Sequence, residues 1–276
     1  MIGRVLNALR NACQAEYWKL LAARGTPIPF EYKNRRYYAN PELGAGYHIR
    51  HSTDKIARMC DLIDRPPAVV FDVGANCGLF SAFVSQKFPE SRTFAFEPSS
   101  DLIPIIRLNC ALPSVTICEY AVGSINGNQV LFVNPESQQT NSINREAVEL
   151  FAKSNTLKEL VVPCRTLDSV AEEYAIDRVD VLKVDVQGFE GEVFRGATRI
   201  LPGVNHLFVE STWIDIESIV QLIPFAIKAG FTHAVVINPV YMGADILFSR
   251  EPVSIDSVAN SRSVRLSEGL LAGRWN

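Results

Sequence analysis

The sequence predicts an α/β fold whose central sheet is mostly parallel and ends in an antiparallel hairpin. Short apolar runs rich in β-branched residues alternate with helical segments from residue 68 onward, which is the pattern of a parallel sheet covered by helices. A glycine-rich turn follows the first of these runs and leads into a helix. The last two strand-like runs, residues 232–237 and 244–248, are separated only by a tight loop, and such short connections join antiparallel strands.

The composition is typical of a globular protein and excludes several classes of function. The chain has 276 residues, of which 47% are hydrophobic and 21% charged, so a large core is expected and global disorder is not. Lysine and arginine total 27 against 30 acidic residues, a net charge of −3 that argues against a nucleic-acid partner. No apolar run approaches the ~20 residues of a membrane span, and the six cysteines lack the spacing of a zinc or redox pair. We therefore expect a soluble cytoplasmic protein with reduced thiols.

Residues 1–66 are predicted to form a helical and irregular extension ahead of the main domain. Residues 1–24 have the apolar spacing of an amphipathic helix, which either packs on a protein surface or, given its basic residues, lies on a membrane surface. Residues 25–47 are rich in proline, glycine and aromatic side chains, so we expect irregular structure there. A helical pattern resumes over residues 52–63. This extension is expected to cover the substrate or to contact a second subunit.

The main domain is predicted over residues 67–276. A long polar segment, residues 134–158, interrupts its alternating pattern, and a connection of that length is commonly functional or disordered. The predicted strands are residues 68–73, 93–96, 115–120, 179–184 and 205–209, and the predicted helices are residues 79–88, 101–112, 190–201 and 216–229.

The most informative segment is the turn Asp72-x-Gly74-x-Asn76-x-Gly78 after the first of these strands. Glycines allow the backbone to come close to a ligand, and the start of the following helix presents free amide groups. Such a turn at the first crossover of an open α/β sheet is typical of a nucleotide-type site. The turn has neither the G-x-G-x-x-G spacing of a dinucleotide site nor the Lys-Ser/Thr pair of a P-loop.

Glu97 ends the second of these strands, about 20 residues past the glycine turn. A carboxylate at this position of an open α/β sheet accepts hydrogen bonds from ribose hydroxyls. A carboxylate that merely caps the next helix would also fit the position. Because Glu97 follows the glycine turn, we favour the ribose contact.

Four segments, taken in order, resemble the FkbM-type family of S-adenosylmethionine-dependent methyltransferases. They are Asp72-x-Gly74-x-Asn76-x-Gly78, Phe96-Glu97-Pro98, Lys183-x-Asp185-x-Gln187-Gly188-x-Glu190 and Arg195-Gly196-Ala197. The resemblance covers residues 68–212, and one departure is Gln187, where the family usually has Glu.

The resemblance implies a class I methyltransferase sheet, which is Rossmann-like, with seven mostly parallel strands and the antiparallel C-terminal hairpin. It also implies S-adenosyl-L-methionine as the cofactor, S-adenosyl-L-homocysteine as the product and, usually, a hydroxyl as the methyl acceptor. By position, the cofactor-binding residues would be Asp72, Gly74, Ala75, Asn76, Gly78, Glu97, Pro98, Ser99, Ala121 and Asp185.

Asp185 and Glu210 are the candidate catalytic carboxylates, since each ends a strand at the edge where ligands bind in such sheets. One of them could act as general base for a hydroxyl proton, or both could ligate a magnesium-like divalent ion. Lys183, two residues before Asp185, is a further candidate catalytic residue. A third interpretation is structural, with Lys183 paired to Asp185 or Glu190 so that the loop is fixed.

The acceptor site is predicted from segments on either side of these motifs. His48 and His51 are candidate acid or base groups if their segment folds over the cofactor. The aromatic residues at 30–47 and the polar segment 134–158 are the expected walls, and tyrosine with Asn, Gln and Ser suits a sugar or polyol. The first hypothesis is therefore an O-methyltransferase that acts on a sugar, a glycan or a secondary metabolite, since the family methylates hydroxyls of sugars and polyketides.

Two other functions stay open on the sequence alone. One is an NAD-dependent oxidoreductase on a related fold, against which the glycine spacing and the terminal hairpin argue. The other is a non-catalytic binding module that keeps the cofactor fold, against which the complete set of motifs argues. Sheets of this type host many activities, so the fold alone does not decide. The metal requirement and a homodimer are left open as well.

Overall fold

The structure is a computed structural model. It describes residues 20–21, 24–40, 45–135, 137–150, 152, 157–212, 216–240, 243–254 and 262–266. For residues 45–51, 138, 211–212, 216–221, 238–240, 243 and 262–264 it describes the backbone alone. The amphipathic helix predicted over residues 1–24 lies almost entirely outside these ranges.

A β-hairpin stands where the sequence predicts irregular structure. Strands β1 (Ile28–Tyr32) and β2 (Arg35–Ala39) pair antiparallel around a two-residue turn at Lys33 and Asn34. Both turn residues have positive φ, 47° and 63°, as in the turns whose twist matches that of a hairpin. The expectation for residues 25–47 is therefore wrong over these strands, because proline is tolerated where a strand lies at a sheet edge.

An eight-stranded sheet forms the centre of the described part of the chain. Five strands run parallel, in the spatial order β5 (Val115–Cys118), β4 (Arg92–Phe96), β3 (Val69–Val73), β9 (Val181–Val184) and β10 (His206–Thr212). The sheet continues with the antiparallel strands β12 (Gly243–Ser249), β11 (His233–Val240) and β13 (Arg262–Arg265). The strand order reverses between β3 and β9, and ligands of open α/β sheets bind at such a reversal, outside the carboxyl ends of the strands.

Helices cover both faces of this sheet and divide the core in two. On one face lie α1 (Ala45–Asp61), α2 (Leu79–Lys87) and α3 (Ile103–Asn109), and on the other α5 (Leu167–Glu173), α6 (Glu190–Arg195) and α7 (Ile216–Lys228). Side chains of β3 alternate between the faces, so Val70 packs with the first set and Phe71 with the second. Helix α1 begins well before the predicted residue 52.

The predicted polar segment 134–158 belongs to a separate three-stranded sheet. Its strands lie in the order β6 (Ala121–Val122), β8 (Lys158–Arg165) and β7 (Gly127–Val133). Between β7 and β8 the chain forms a 3-10 turn and the short helix α4 (Arg145–Glu149). The segment therefore connects two strands of this sheet, and its described residues include two short helical turns.

The predicted fold class is confirmed by this topology. The mostly parallel sheet, its helices and the antiparallel pair β11–β12 are present, and β13 adds a strand beyond the predicted seven. Five of the six cysteines lie in the described ranges, and those five are buried free thiols. No helix among the described residues is both long and apolar enough to cross a membrane.

Candidate active site

The glycine turn lies between the ends of β3, β4 and β9. Gly74 has φ 74°, and a Cβ at this position would lie 1.8 Å from the carbonyl oxygen of Asp185. Glycine is therefore required both by the conformation and by the close approach of the two segments. The amides of Gly74 and Ala75 donate to the Phe96 carbonyl oxygen at 3.1 and 2.9 Å, which fixes the turn to β4.

Two more residues shape the same turn. Asn76 also has positive φ, 52°, and its Oδ1 accepts a hydrogen bond from the Cys77 amide at 2.7 Å. Gly78 precedes α2 with φ 73°, and a Cβ there would lie 3.0 Å from the Cys110 sulfur. The backbone of the turn therefore stays bare, as a closely approaching ligand requires.

Glu97 is oriented by the backbone on both sides of it. Its two carboxylate oxygens accept hydrogen bonds from the amides of Asn76 and Ser99, each at 2.9 Å. A carboxylate offers about four acceptor positions, so Glu97 retains the capacity to accept two ribose hydroxyls. Burial raises the pKa of Glu97 to about 7, although both amides act in the opposite direction.

The remaining predicted cofactor residues lie along the same edge. Pro98 is partly buried and Ser99 is buried, and both follow Glu97 directly. Ala121 is buried in β6.

Asp72 lies beneath the turn and is fully buried. Its Oδ2 accepts hydrogen bonds from the amide and hydroxyl of Ser81 on α2, at 3.2 and 2.7 Å. Its Oδ1 lies 3.1 Å from Nζ of Lys183, which donates to the Gly74 carbonyl at 2.9 Å. Lys183 also lies 3.6 Å from Asp185, so it fixes the turn and the next loop together. A direct catalytic role for Lys183 stays a prediction.

Asp185 and Glu210 are brought together because β9 and β10 are parallel neighbours. Gln187 bridges them, since its Nε2 donates to Asp185 Oδ1 at 2.8 Å and to Glu210 Oε2 at 2.6 Å. Gln187 adopts φ 54°, a strained conformation for a residue other than glycine and one that clusters at functional sites.

The pKa values of Asp185 and Glu210 are shifted in opposite directions. Burial raises the pKa of Glu210, and the charge of Asp185 adds to this effect. Burial acts on Asp185 in the same sense, but Lys183, a hydrogen bond from Glu210 and the charge of Lys55 hold the pKa of Asp185 well below its usual range. The two groups therefore titrate as a coupled pair, in which Asp185 is the stronger acid and Glu210 is the more readily protonated member.

Two residues of the site were missed by the sequence analysis. Nζ of Lys55, on α1, lies 2.6 Å from Glu210 Oε1 and 2.9 Å from Asp245 Oδ1. Asp245, on β12, is directly opposite Glu210 in the strand register. The signal for Asp245 is a single acid inside an apolar strand, where an unpaired charge is rare. Lys55 sits in an amphipathic helix and has no comparable signal.

The loop after β9 is fixed by its own glutamate. The carboxylate of Glu190 is buried and accepts hydrogen bonds from the amides of Val186, at 3.3 Å, and Gly188, at 3.1 Å. Burial raises the pKa of Glu190 to about 7, against the effect of these amides. Glu190 is therefore placed to hold the loop that carries Asp185 and Gln187.

The polar segment contacts this loop from outside. Ser142 Oγ donates to the Val186 carbonyl and Asn144 Nδ2 donates to the Gly188 carbonyl, each at 3.0 Å. The Asn144 Oδ1 also accepts from the first amides of α4. The polar segment therefore borders the Asp185 loop. Its role as a substrate wall stays a prediction.

The side chain of His51 lies outside the described residues, so its predicted role is not tested. Its backbone belongs to α1, one turn before Lys55. Among the described residues, no group of three or more His, Cys, Asp or Glu side chains is arranged to hold a metal ion.

A family model described as the methyltransferase FkbM domain matches residues 72–231, more than half of the chain. The chain belongs to the FkbM methyltransferase family. The matched region of this FkbM methyltransferase begins at Asp72 and contains the glycine turn, Glu97, the Asp185 loop and Glu210. The resemblance carried by the sequence motifs is confirmed.

Named relatives of this FkbM methyltransferase come from fungi, archaea and bacteria. Methyltransferase sdnD of Sordaria araneosa is 28% identical over 203 residues, which cover 64% of this chain and 78% of the relative. Hexuronic acid methyltransferase AglP of Haloferax volcanii is 28% identical over 156 residues, 56% of this chain and 61% of AglP. 2-O-methyltransferase NoeI of Sinorhizobium fredii is 24% identical over 214 residues, 70% of this chain and 87% of NoeI.

The family decides the class of enzyme and the cofactor. The protein is a methyltransferase, and its cofactor is S-adenosylmethionine. The residues present fit this group, because the turn at Gly74 is bare and Glu97 keeps free acceptor positions at its edge. The alternative of an NAD-dependent oxidoreductase is therefore wrong, and nothing in the site favours a non-catalytic module.

Proposed function

We propose that this FkbM methyltransferase transfers a methyl group to a hydroxyl oxygen of a sugar, a glycan or a secondary metabolite. The observation that carries the proposal is the pair Asp185 and Glu210, which Gln187 holds beside the glycine turn. A carboxylate that keeps its negative charge is suited to accept the proton of an alcohol. Two relatives point to the same acceptor class, since NoeI is a 2-O-methyltransferase and AglP a hexuronic acid methyltransferase.

The cofactor and three side chains of the site have different roles in the reaction of the acceptor hydroxyl. When bound, S-adenosylmethionine supplies a methyl group on a positively charged sulfur. Asp185 accepts the hydroxyl proton as the oxygen forms its bond to carbon, and a weak base suffices because the oxygen becomes strongly acidic at that stage. Gln187 and Glu210 hold Asp185 in one orientation, so the reacting atoms meet in line.

The proposal is tested by a methyl-transfer assay with hexoses, hexuronates and polyols as acceptors. We expect an O-methyl ether and S-adenosylhomocysteine, both detected by mass spectrometry. Asp185→Asn should lower kcat by about 10²–10⁴-fold while calorimetry shows unchanged affinity for S-adenosylhomocysteine. Glu210→Gln should lose less activity, because it leaves Asp185, the stronger acid of the pair, in place as the base. Full turnover of Asp185→Asn would overturn the assignment.

A second experiment tests the ribose contact of Glu97. Glu97→Gln keeps the shape of the side chain but removes one acceptor, so affinity for S-adenosylhomocysteine should fall by about tenfold or more. Glu90→Gln, at an exposed acid before β4, is the matched control and should bind as the wild type does. Equal affinities for all three proteins would remove Glu97 from the cofactor site.

The domain boundary, the cellular location, the absence of a nucleic-acid acceptor and the homodimer are further proposals about the whole protein. A boundary at residue 66, with residues 1–66 over the acceptor, is supported by Lys55, which reaches from α1 into the site. A cytoplasmic location is supported by the five buried free thiols, and a non-nucleic-acid acceptor by the net charge of −3. A homodimer is tested by light scattering of the purified protein.

A further inference from the structure

Three carboxylates converge at the acceptor edge of the sheet. Asp185 follows β9, Glu210 lies on β10 and Asp245 lies on β12, three neighbouring strands. Glu210 and Asp245 are direct partners in the antiparallel register, so their side chains stand on the same face. As they stand, with Lys55 beside them, these side chains are not arranged to hold a metal ion, although carboxylate oxygens are the ligands that Mg²⁺, Mn²⁺ and Ca²⁺ prefer.

The ammonium group of Lys55 occupies the space between two of these carboxylates. Its Nζ lies 2.6 Å from Glu210 Oε1 and 2.9 Å from Asp245 Oδ1, and only a quarter of its side chain, 24%, is exposed. Burial lowers the pKa of Lys55, but the charges of Glu210, Asp245 and Asp185 outweigh it and raise that pKa well above the usual value. Lys55 therefore carries its positive charge throughout the working range of pH.

The second lysine of the site, Lys183, lies 3.6 Å from Asp185 but forms no ion pair with Glu210 or Asp245 among the described residues. Nζ of Lys183 is committed to Asp72 at 3.1 Å and to the Gly74 carbonyl at 2.9 Å, beneath the turn. Asp185 Oδ1 and Glu210 Oε2 accept hydrogen bonds from Gln187, which is neutral. Lys55 is thus the cation that balances Glu210 and Asp245.

We infer that Lys55 is a positioning residue that acts as the fixed cation of the acceptor site, in the place where these carboxylates would otherwise bind a divalent metal ion. An ammonium group is a compact charge, and that of Lys55 donates a hydrogen bond to Glu210 and forms an ion pair with Asp245. It follows that methyl transfer needs no added metal. The inference rests on the proposed function, since it concerns the same carboxylates.

The test measures Mn²⁺ binding by electron paramagnetic resonance, with S-adenosylhomocysteine present and no acceptor required. The wild type should bind no Mn²⁺ at this site. Lys55→Met removes the charge but keeps the length of the chain, and should bind Mn²⁺ at least about tenfold more tightly than the wild type. The double variant Lys55→Met/Asp245→Asn should lose that binding again, because one ligand is gone.

Lys87→Met is the matched control. Lys87 is an exposed lysine at the end of α2, and its Nζ donates to the backbone carbonyls of Cys60 and Ile63, at 2.7 and 3.3 Å, and not to carboxylates. This variant should bind no more Mn²⁺ than the wild type. Once an acceptor is known, a chelator should leave wild-type turnover unchanged, whereas Mn²⁺ should restore part of the turnover that Lys55→Met loses.

Either of two results would overturn the inference. One is Mn²⁺ binding by the wild type that Asp245→Asn abolishes, a measurement that holds even if Lys55→Met fails to fold. The other is a folded Lys55→Met protein that binds no Mn²⁺. Calorimetry with S-adenosylhomocysteine is the independent readout of the proposed function, so loss of that binding in the wild type would be a failure of the function and not of Lys55.

Discussion

Gly74 has no room for a side chain, and its backbone conformation disfavours one. Its φ is 74°, and a Cβ would lie 1.8 Å from the Asp185 carbonyl oxygen, a backbone atom that cannot move aside. We expect Gly74→Ala to cost more than about 4 kcal/mol or to abolish binding of S-adenosylhomocysteine. Thermal unfolding and calorimetry measure the two effects.

Gly25→Ala separates the effect of the backbone conformation from the effect of the close contact with Asp185. Gly25 has a similar φ, 63°, but nothing lies within 4 Å of its added Cβ. This variant should lose only the backbone preference, about 1–2 kcal/mol. Equal losses in both variants would mean that the contact between Gly74 and Asp185 is unimportant.

Gln187 is the residue at which this chain departs from the usual family motif. Gln187→Glu adds a negative charge beside Asp185 and Glu210 and removes the two hydrogen bonds that Gln187 donates to them. Both changes favour protonated carboxyl groups, so the acid limb of the kcat/KM profile should move to a pH about 1 higher. Gln86→Glu is the control, because Gln86 accepts its hydrogen bond from Tyr37, outside the site. An unmoved profile in Gln187→Glu would count against Asp185 as the base.

At the scale of elements, α4 and the Asp185 loop share Asn144. Its Oδ1 caps α4, and its Nδ2 donates to the Gly188 carbonyl at 3.0 Å. Asn144→Ala should cost about 1–2 kcal/mol from the lost cap. It should also lower kcat by about tenfold or more, because the loop that carries Asp185 loses a support. Unfolding curves and steady-state kinetics measure these separately.

Thr166→Ala is the control for that prediction. Thr166 caps α5 through its hydroxyl, which accepts from the Ser169 amide at 3.1 Å. Its loss should cost about 1 kcal/mol as well and leave kcat unchanged. If both variants lowered kcat equally, the effect would come from general destabilisation.

Elements differ in how far the sequence alone predicts them. β3 and β9 are buried on both faces, so they read as continuous apolar runs and are found at their predicted places. β1 and β2 are missed because their turn, Lys33-Asn34, has no glycine and their surroundings are rich in breakers. β13 is missed because Arg262–Arg265 is only four residues long and begins and ends with arginine, which gives no apolar strand pattern.

At the scale of the whole molecule, buried carboxyl groups set the dependence of stability on pH. The pKa values of Glu97 and Glu190 are raised from an ordinary 4.5 to about 7 by burial, and that of Glu210 is raised as well. The folded state therefore keeps protons that the unfolded chain releases. The stability contributed by these protons is fully present below about pH 4.5 and is lost as the pH rises through 7.

The expected result is a melting temperature that is highest near pH 5 and about 4 °C or more lower at pH 8, measured without ligand. Glu190→Gln should flatten this slope, because the amide does not titrate. Glu90→Gln, at an exposed position, should keep the wild-type slope. A melting temperature that rises from pH 5 to pH 8 would contradict the raised pKa values.

The sequence predicts the site residues that lie at the ends of parallel strands. It does not predict the site residues that other elements contribute, such as Lys55 on α1. The glycine turn, Glu97, Asp185 and Glu210 each end a strand at the binding edge, which strand order alone brings together. Lys55 reaches Glu210 from 155 residues earlier in the chain, and no local pattern encodes that contact.

This separation also sets an order of events during synthesis. Lys55 leaves the ribosome 155 residues before Glu210, which takes about 8–30 s at 5–20 residues per second. For most of that interval the nascent chain already holds its glycine turn and Glu97, but Lys55 lacks the carboxylates of Glu210 and Asp245. A nascent chain can therefore contain the segment that holds the nucleoside long before it can methylate anything, because methyl transfer must wait until Asp185, Glu210 and Asp245 have been added.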